Sequence, residues 1–115
     1  MIYNLTEYPG HTISATAGSV IPAERFVDAA IQAGTSASNV FGISQYDAAA
    51  TGDPIAINMD GILKVAAGAA VSVGAFVQSD STGRAITRIG SAHPVGIAYT
   101  AATTSDETIL IKIPV

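Results

Sequence analysis

The stretch Thr-Ile-Leu-Ile-Lys-Ile, residues 108–113, decides the fold class. Its alternation places Ile109, Ile111 and Ile113 on one face and Lys112 on the other, which is the period of a β-strand. The overall composition agrees, because isoleucine and valine recur along the whole chain whereas leucine occurs only at positions 5, 63 and 110. β-Branched side chains fit a pleated surface better than a helix. The sequence therefore predicts an all-β chain.

Further short β segments precede this strand and are separated by turn residues. The predicted strands cover residues 11–17, 40–44, 54–59, 61–65, 75–78, 85–89 and 95–99. Asp60-Gly61 predicts a hairpin, because this dipeptide readily supplies positive φ. Residues 79–83 predict a second turn with Gly83 as its left-handed residue. We expect a small compact β-barrel or β-sandwich of short strands with Gly/Ala-rich loops.

One segment, residues 22–33, is open to two interpretations. A helix would have Pro22 in its first turn, Glu24 near the positive end of its dipole, and an apolar stripe that begins at Phe26. A strand would instead turn Phe26 and Asp28 to one side. The surrounding β segments favour the strand.

The sequence contains a weak internal repeat. When the chain is aligned with itself without gaps, residues 41–43 meet 95–97, Ala48 meets Ala102, Asp53 meets Glu107, and the alternating residues of 55–59 meet those of 109–113. One interpretation is a pair of similar β-loop-β units that stack around one core. The other is a chance match between two alternating strands in an alanine-rich chain. Two copies are too few for a solenoid.

Length and charge restrict the possible classes of protein. A chain of 115 residues corresponds to one domain. Charged residues make up 12% of the chain, about half the usual share of about 25%. The net charge is -4, and the five cations cannot form a basic patch, which excludes nucleic acid and polybasic membrane binding. The apolar window 65–79 is too short for a membrane span.

No constellation of residues predicts chemistry. The chain has no cysteine, and His11 and His93 lie far apart without a motif around them. Asp47, Asp53 and Asp60 do not have the spacing of a calcium loop. Neither a Gly-x-Ser-x-Gly motif nor a phosphate loop is present. We therefore expect no catalytic, cofactor or metal site and no small-molecule substrate, and we predict that the chain is not an enzyme.

The N-terminal residues differ from the rest of the chain. Residues 1–10 contain Ile2, Tyr3, Leu5 and Tyr8 without strand-like turns, whereas residues 11–115 form the single predicted domain. We expect an extended arm whose candidate contact residues are Ile2, Tyr3, Leu5 and Tyr8, since apolar and tyrosine side chains are favoured at contacts. The alternative is a simple frayed terminus.

The order of the Gly-centred segments carries a family resemblance. These segments are residues 17–21, 25–27, 40–44, 52–55, 61–65, 67–74, 80–85 and 94–98, followed by the terminal isoleucine strand. As an ordered set they resemble the capsid decoration, or cement, proteins of tailed bacteriophages. The resemblance covers about residues 11–113.

The resemblance implies a structural role on the outside of the virion head. Such proteins bind the major capsid protein, often as homotrimers at three-fold and quasi-three-fold positions, and clamp neighbouring subunits. The low charge content fits a surface that neighbouring subunits cover. The alternative is a non-catalytic β-barrel module of carrier-like, barrel-sandwich type. Against it, Asp60 occupies the hairpin tip where carrier domains present a lysine, and Lys64 lies further along the next strand.

Overall fold

The computed structural model describes residues 7–33, 40–91 and 94–114. Within these ranges the chain forms ten strands and no helix, so the all-β prediction is confirmed. The strands are β1 (Tyr8–Pro9), β2 (Thr12–Thr16), β3 (Phe26–Val27), β4 (Gly42–Ser44), β5 (Pro54–Asn58), β6 (Gly61–Ala66), β7 (Phe76–Ser79), β8 (Ala85–Thr87), β9 (Gly96–Ala98) and β10 (Thr108–Ile113).

The strands form two antiparallel sheets. One sheet has the order β1-β6-β10-β9-β7-β8 and the other has the order β2-β5-β4-β3. All the strands predicted outside residues 22–33 are present, with ends within two residues of the predicted ones, and β10 has its full predicted length. The turn at residues 79–83 joins β7 to β8, with Gly83 at a φ of 84°, as predicted.

The hairpin prediction at Asp60-Gly61 is wrong. Gly61 does adopt a positive φ of 110°, but β5 and β6 lie in different sheets. The turn therefore passes the chain from one sheet to the other. Its tight fit explains the glycine, because a Cβ at Gly61 would collide with the carbonyl oxygen of Tyr8.

Residues 22–33 form neither a helix nor a continuous strand. Only Phe26 and Val27 are a strand, and Ala33 forms an isolated bridge back to Val27. Phe26 and Val27 are both fully buried although they point to opposite faces. Packing on both faces therefore holds this short strand in place. The residues on either side of it do not continue the strand.

The two sheets are built from one repeated unit. We call β2–β5 (residues 12–58) the first unit and β6–β10 (residues 61–113) the second unit. The pairing order β2-β5-β4-β3 recurs as β6-β10-β9-β7. The register is also the same, because Ile13 faces Ile57 as Leu63 faces Ile111.

The sequence alignment captured only the second half of this repeat. There β4 and β5 match β9 and β10 in the register that the alignment indicated. In the first half, β2 and β3 match β6 and β7 at a shorter spacing, because the β7–β8 hairpin makes the second unit longer. The repeat is therefore structural, and a gapless alignment detects only part of it.

Each unit has an inner face with its own apolar cluster. In the first unit the cluster centres on Ile21, Val27, Ile55 and Ile57. The cluster of the second unit is larger and also contains Phe26 and Ile43 of the first unit, together with Leu63, Val65, Val71, Val77, Ile109 and Ile111. Since Phe26 and Ile43 point away from the core of their own unit, the outer face of the first unit packs on the inner face of the second.

Candidate interaction surface

The contact between the units, which we call the internal joint, combines apolar burial with backbone hydrogen bonds. Phe26 is 0% exposed, and its N–H donates to the Gly83 carbonyl at 2.7 Å. The Ala66 N–H donates to the Glu24 carbonyl at 2.9 Å. The Glu24 carboxylate accepts a hydrogen bond from the Thr108 hydroxyl at 2.9 Å. These bonds satisfy polar groups that burial would otherwise leave unpaired.

The outer face of the second unit is the counterpart of this buried surface, and part of it is open to solvent, although Leu110 on the same face is buried. Strand register places five side chains in one line across the sheet, Tyr8, Ile62, Lys112, Ile97 and Phe76, which we call the outer row. Tyr8 is 66% exposed and Phe76 is 40% exposed. Ile62 and Ile97 between them are half-buried, and exposed apolar side chains aligned in this way are candidates for protein interaction.

Two cations accompany the outer row. Lys112 is an exposed residue at its centre, and the Arg88 guanidinium lies over the Phe76 ring, 5.0 Å from its centroid. Such a cation–π contact is worth about 0.5–1 kcal/mol at an exposed site. The outer row can therefore bind an apolar surface that carries carboxylates. Its five residues include no carboxylate, histidine or hydroxyl–base pair that could carry out acid–base or nucleophilic chemistry.

The structure describes one of the four candidate contact residues. Tyr8 lies in β1, pairs with Ile62 and forms one end of the outer row. Ile2, Tyr3 and Leu5 lie outside the described residues. Next to Tyr8, the Glu7 carboxylate accepts the N–H of Lys64 at 2.9 Å, which helps to hold β1 on the edge of β6.

Sequence analysis did not identify the other members of the outer row. Ile62, Ile97 and Phe76 lie on the outer side of strands that were recognised only by their inner-face pattern. A signal existed, since the dipeptide Phe-Val occurs at both 26–27 and 76–77. The gapless alignment anchored on residues 41–43 and 95–97 places these two dipeptides out of register, so it could not detect the match.

The remaining carboxylates have structural roles in turns. Asp28 Oδ1 accepts the N–H groups of Ala30 and Gln32 at 3.0 and 3.1 Å, and Asp80 Oδ1 accepts those of Thr82 and Arg84, both at 2.9 Å. Burial raises the pKa of the Asp80 carboxyl, but the hydrogen bonds from Arg84 and Thr82 outweigh burial and hold this pKa below its ordinary value.

His11 and Asp60 connect the start of β2 to the turn between the units. The His11 N–H donates to Asp60 Oδ1 at 2.7 Å, and His11 Nδ1 lies 2.9 Å from Asp60 Oδ2. The hydrogen bonds from the His11 side chain and backbone lower the pKa of the Asp60 carboxyl. The His11 side chain is 81% exposed and the Asp60 side chain 36% exposed, so this pair ties two segments together at the surface.

A cleft of about 200 Å³ lies where the units meet, and apolar residues line it. Its lining is Val40, Phe41, Met59, Pro94, Val95, Ile113 and Pro114, none of which carries a titratable side chain. Sites for drug-sized ligands are larger, about 300–1,000 Å³. The described part of the chain contains no group of three or more side chains placed to hold a metal ion. Over the same residues, no helix is able to cross a bilayer.

Comparison with known proteins gives a family and a fold. Residues 8–113 match the model of a family described as phage cement protein. The crystal structure of the head fiber gp8.5 N base in bacteriophage phi29 is similar, with a TM-score of 0.64 over 90% of this chain and 93% of that chain. The two sequences are 19% identical, so this likeness is one of fold. Comparison with curated proteins finds no match.

Proposed function

Because the chain belongs to the phage cement protein family, we propose that it binds neighbouring major capsid subunits and holds them together on the assembled shell. Family membership makes the protein a structural component of the capsid exterior. The clamping of adjacent subunits is the part that we propose. The observation that carries it is the outer row, in which Tyr8 and Phe76 expose large apolar side chains on a chain with 12% charged residues.

The physical basis of the clamp is mass action. A ligand that binds the assembled shell and not its separate subunits stabilises the shell by RT ln(1 + [L]/Kd). A closed shell repeats the same site many times, so contacts that are weak singly become effective together. An exposed apolar row supports this mode of binding, because it gains free energy when a neighbour removes it from water.

We further propose that the N-terminal residues Ile2, Tyr3, Leu5 and Tyr8 contact the capsid. Tyr8 supports this proposal, since it is 66% exposed at the end of the outer row nearest the N-terminus. We also propose that the bound form is a homotrimer at three-fold and quasi-three-fold positions. In that arrangement one end of the outer row faces the shell and the other end faces a neighbouring copy.

The test uses expanded empty shells that lack the protein. Purified wild-type chain is added, bound copies are counted after sedimentation, and the temperature of shell disruption is measured by light scattering. We expect saturable binding and a higher disruption temperature. A deletion of residues 1–8 removes all four proposed contact residues, whereas a deletion of residues 1–6 removes Ile2, Tyr3 and Leu5 and leaves β1 in place.

Each variant has a defined expectation. The longer deletion should reduce occupancy at least tenfold, and the shorter one should reduce it less. Cryo-electron microscopy of the saturated shell then gives the symmetry position and copy number. Full occupancy by the longer deletion would exclude the arm contact, and wild-type binding that leaves the disruption temperature unchanged would exclude the clamp.

A further inference from the structure

The inner face of the first unit is less covered than that of the second unit. Leu63 and Val65 in β6 are 0% exposed, whereas their counterparts in β2, Ile13 and Ala15, are half-buried. Phe26 belongs to the cluster around Leu63 and Val65. Among the described residues, every member of the cluster around Ile13 and Ala15 comes from the first unit itself. The first unit therefore packs its outer face on the inner face of the second unit, but no equivalent surface packs on its own inner face within the described residues.

The side chains that would supply this cover are present on the outer face of the second unit. Phe76 and Ile97 are the counterparts of Phe26 and Ile43, since Phe76 faces Ile97 as Phe26 faces Ile43. Phe26 and Ile43 are at most 1% exposed, whereas Phe76 is 40% exposed. One copy of the chain thus has an uncovered inner face at one end and an unused outer face at the other.

The backbone groups of the internal joint also have unused counterparts. In the joint, the Ala66 N–H donates to the Glu24 carbonyl. The counterpart donor is the Thr16 N–H, which points to the open edge of β2 because the adjacent Ala17 N–H bonds to Asp53 across β5. The counterpart acceptor is the Gly74 carbonyl, which has no hydrogen-bond partner in the described ranges. Gly74 has a φ of 83° and Glu24 a φ of 61°, so the two backbones have the same local shape.

Charge favours contact between unlike units. The first unit holds one cation, Arg25, against four carboxylates, which are Glu24, Asp28, Asp47 and Asp53. The second unit holds four cations, which are Lys64, Arg84, Arg88 and Lys112, against the three carboxylates Asp80, Asp106 and Glu107. A first unit therefore attracts a second unit and repels another first unit, which selects the partner and the register of the contact.

We propose that the outer row of one copy, at Phe76 and Ile97, binds the inner face of the first unit of a second copy, at Ile13 and Ala15. The internal joint then recurs between copies. This contact is heterologous, so successive copies close into a ring if the rotation permits, and otherwise form a filament. This inference rests on the proposed function for the number of copies, three. The contacting surfaces are argued from the structure alone.

The first test measures association in solution by sedimentation velocity, up to about 1 mM protein, which matches the effective concentration of tethered sites. We expect concentration-dependent association of the wild-type chain and at least tenfold weaker association of Phe76→Glu. The matched control is Ile89→Glu, because Ile89 is an apolar residue of the second unit, 67% exposed, outside the outer row. A wild-type chain that stays monomeric, or a Phe76→Glu variant that associates normally, would overturn the proposal.

The second test uses the polarity of the contact. Ile13→Lys disables the inner face of the first unit, and Phe76→Glu disables the outer row. Each variant alone should be monomeric, but an equimolar mixture should form heterodimers, since each variant retains the surface that the other lacks. A mixture that stays monomeric while the wild-type chain associates would show a different interface.

Folding and capsid binding are measured separately from association. Circular dichroism checks that each variant is folded. If Ile13→Lys unfolds, Thr16→Pro replaces it, because proline removes only the proposed N–H donor and is tolerated on an edge strand. Association-deficient variants are also added to empty shells. Shell binding without self-association would contradict the proposed contact between copies and support the cement function. Self-association without shell binding would support the contact between copies and contradict the cement function.

Discussion

Phe26 and Phe76 occupy equivalent positions in the two units. Phe26 pairs with Ile43 in β4, and Phe76 pairs with Ile97 in β9, which is the corresponding strand. Phe26 is 0% exposed in the internal joint, whereas Phe76 is 40% exposed and has Arg88 over its ring. The difference comes from position along the chain. Two units in a row form one joint between them and leave one face uncovered at each end. The same local structure therefore stabilises the fold in one unit and forms the proposed binding surface in the other.

The sharpest test of this contrast replaces each phenylalanine by alanine. Phe26→Ala should lower the free energy of unfolding by about 3–5 kcal/mol, because it opens a cavity in a fully buried core. Phe76→Ala should lower it by about 1 kcal/mol or less, since it removes an exposed ring and its cation–π contact. Urea denaturation followed by circular dichroism measures both values. If the two variants lost similar amounts of unfolding free energy, the surroundings of Phe26 and Phe76 would differ less than their exposed fractions indicate.

A second pair of residues should behave alike in the two units. Gly42 and Gly96 are counterparts, and a Cβ would lie 2.6 Å from the Asn58 carbonyl oxygen in one case and closer still to the Lys112 carbonyl oxygen in the other. Substitution by alanine should therefore cost about 1–3 kcal/mol at each position, because the neighbouring strand must shift. Ser14→Ala, on the exposed face of β2, is the control and should be near neutral. A tolerated alanine at either glycine would contradict the equivalence of the two strands.

The smallest expected effect distinguishes the two turn aspartates. Asp80 accepts hydrogen bonds from two N–H groups, the Thr82 hydroxyl and the Arg84 guanidinium, whereas Asp28 accepts from two N–H groups. Asp80→Asn should cost about 1 kcal/mol at neutral pH, and Asp28→Asn should cost less.

The cost of Asp80→Asn should also depend on pH. The pKa of the Asp80 carboxyl is lowered in the folded chain. Its stabilising contribution is therefore complete above the unfolded value of about 3.8 and is lost as the pH falls through the lower folded value. Thermal melts of both variants from neutral pH down to below this folded value measure the difference. A cost for Asp80→Asn that does not change with pH would show that its charge is not involved.

The sequence predicted those parts of the fold that depend on local alternation. Residues 108–113 and the other alternating segments became strands because their inner faces are buried in clusters of the expected kind. The hairpin at Asp60-Gly61 was not predicted correctly, and the strand favoured for residues 22–33 is present only at Phe26 and Val27, because partners distant in the chain determine both. The burial of Phe26 depends on contacts with the second unit, and the sequence of residues 22–33 carries no information about those contacts.

The candidate surface was harder to predict than the fold. Tyr8 was identified because it is a tyrosine in a terminal segment, and the structure places it at the end of the outer row, where its contact role stays a prediction. Phe76 and Ile97 resemble ordinary core residues in sequence. Their place on the outer face, where Phe76 is 40% exposed and Ile97 half-buried, follows only from the repeat, whose register changes at the β7–β8 hairpin.

The internal joint also sets the order in which the nascent chain can become stable. The first unit leaves the ribosome before the second, and Phe26 and Ile43 remain in contact with water until the second unit has been synthesised. At about 5–20 residues per second this interval is on the order of several seconds. The net negative charge of the first unit disfavours contact between two such incomplete chains during this interval, because like charges repel.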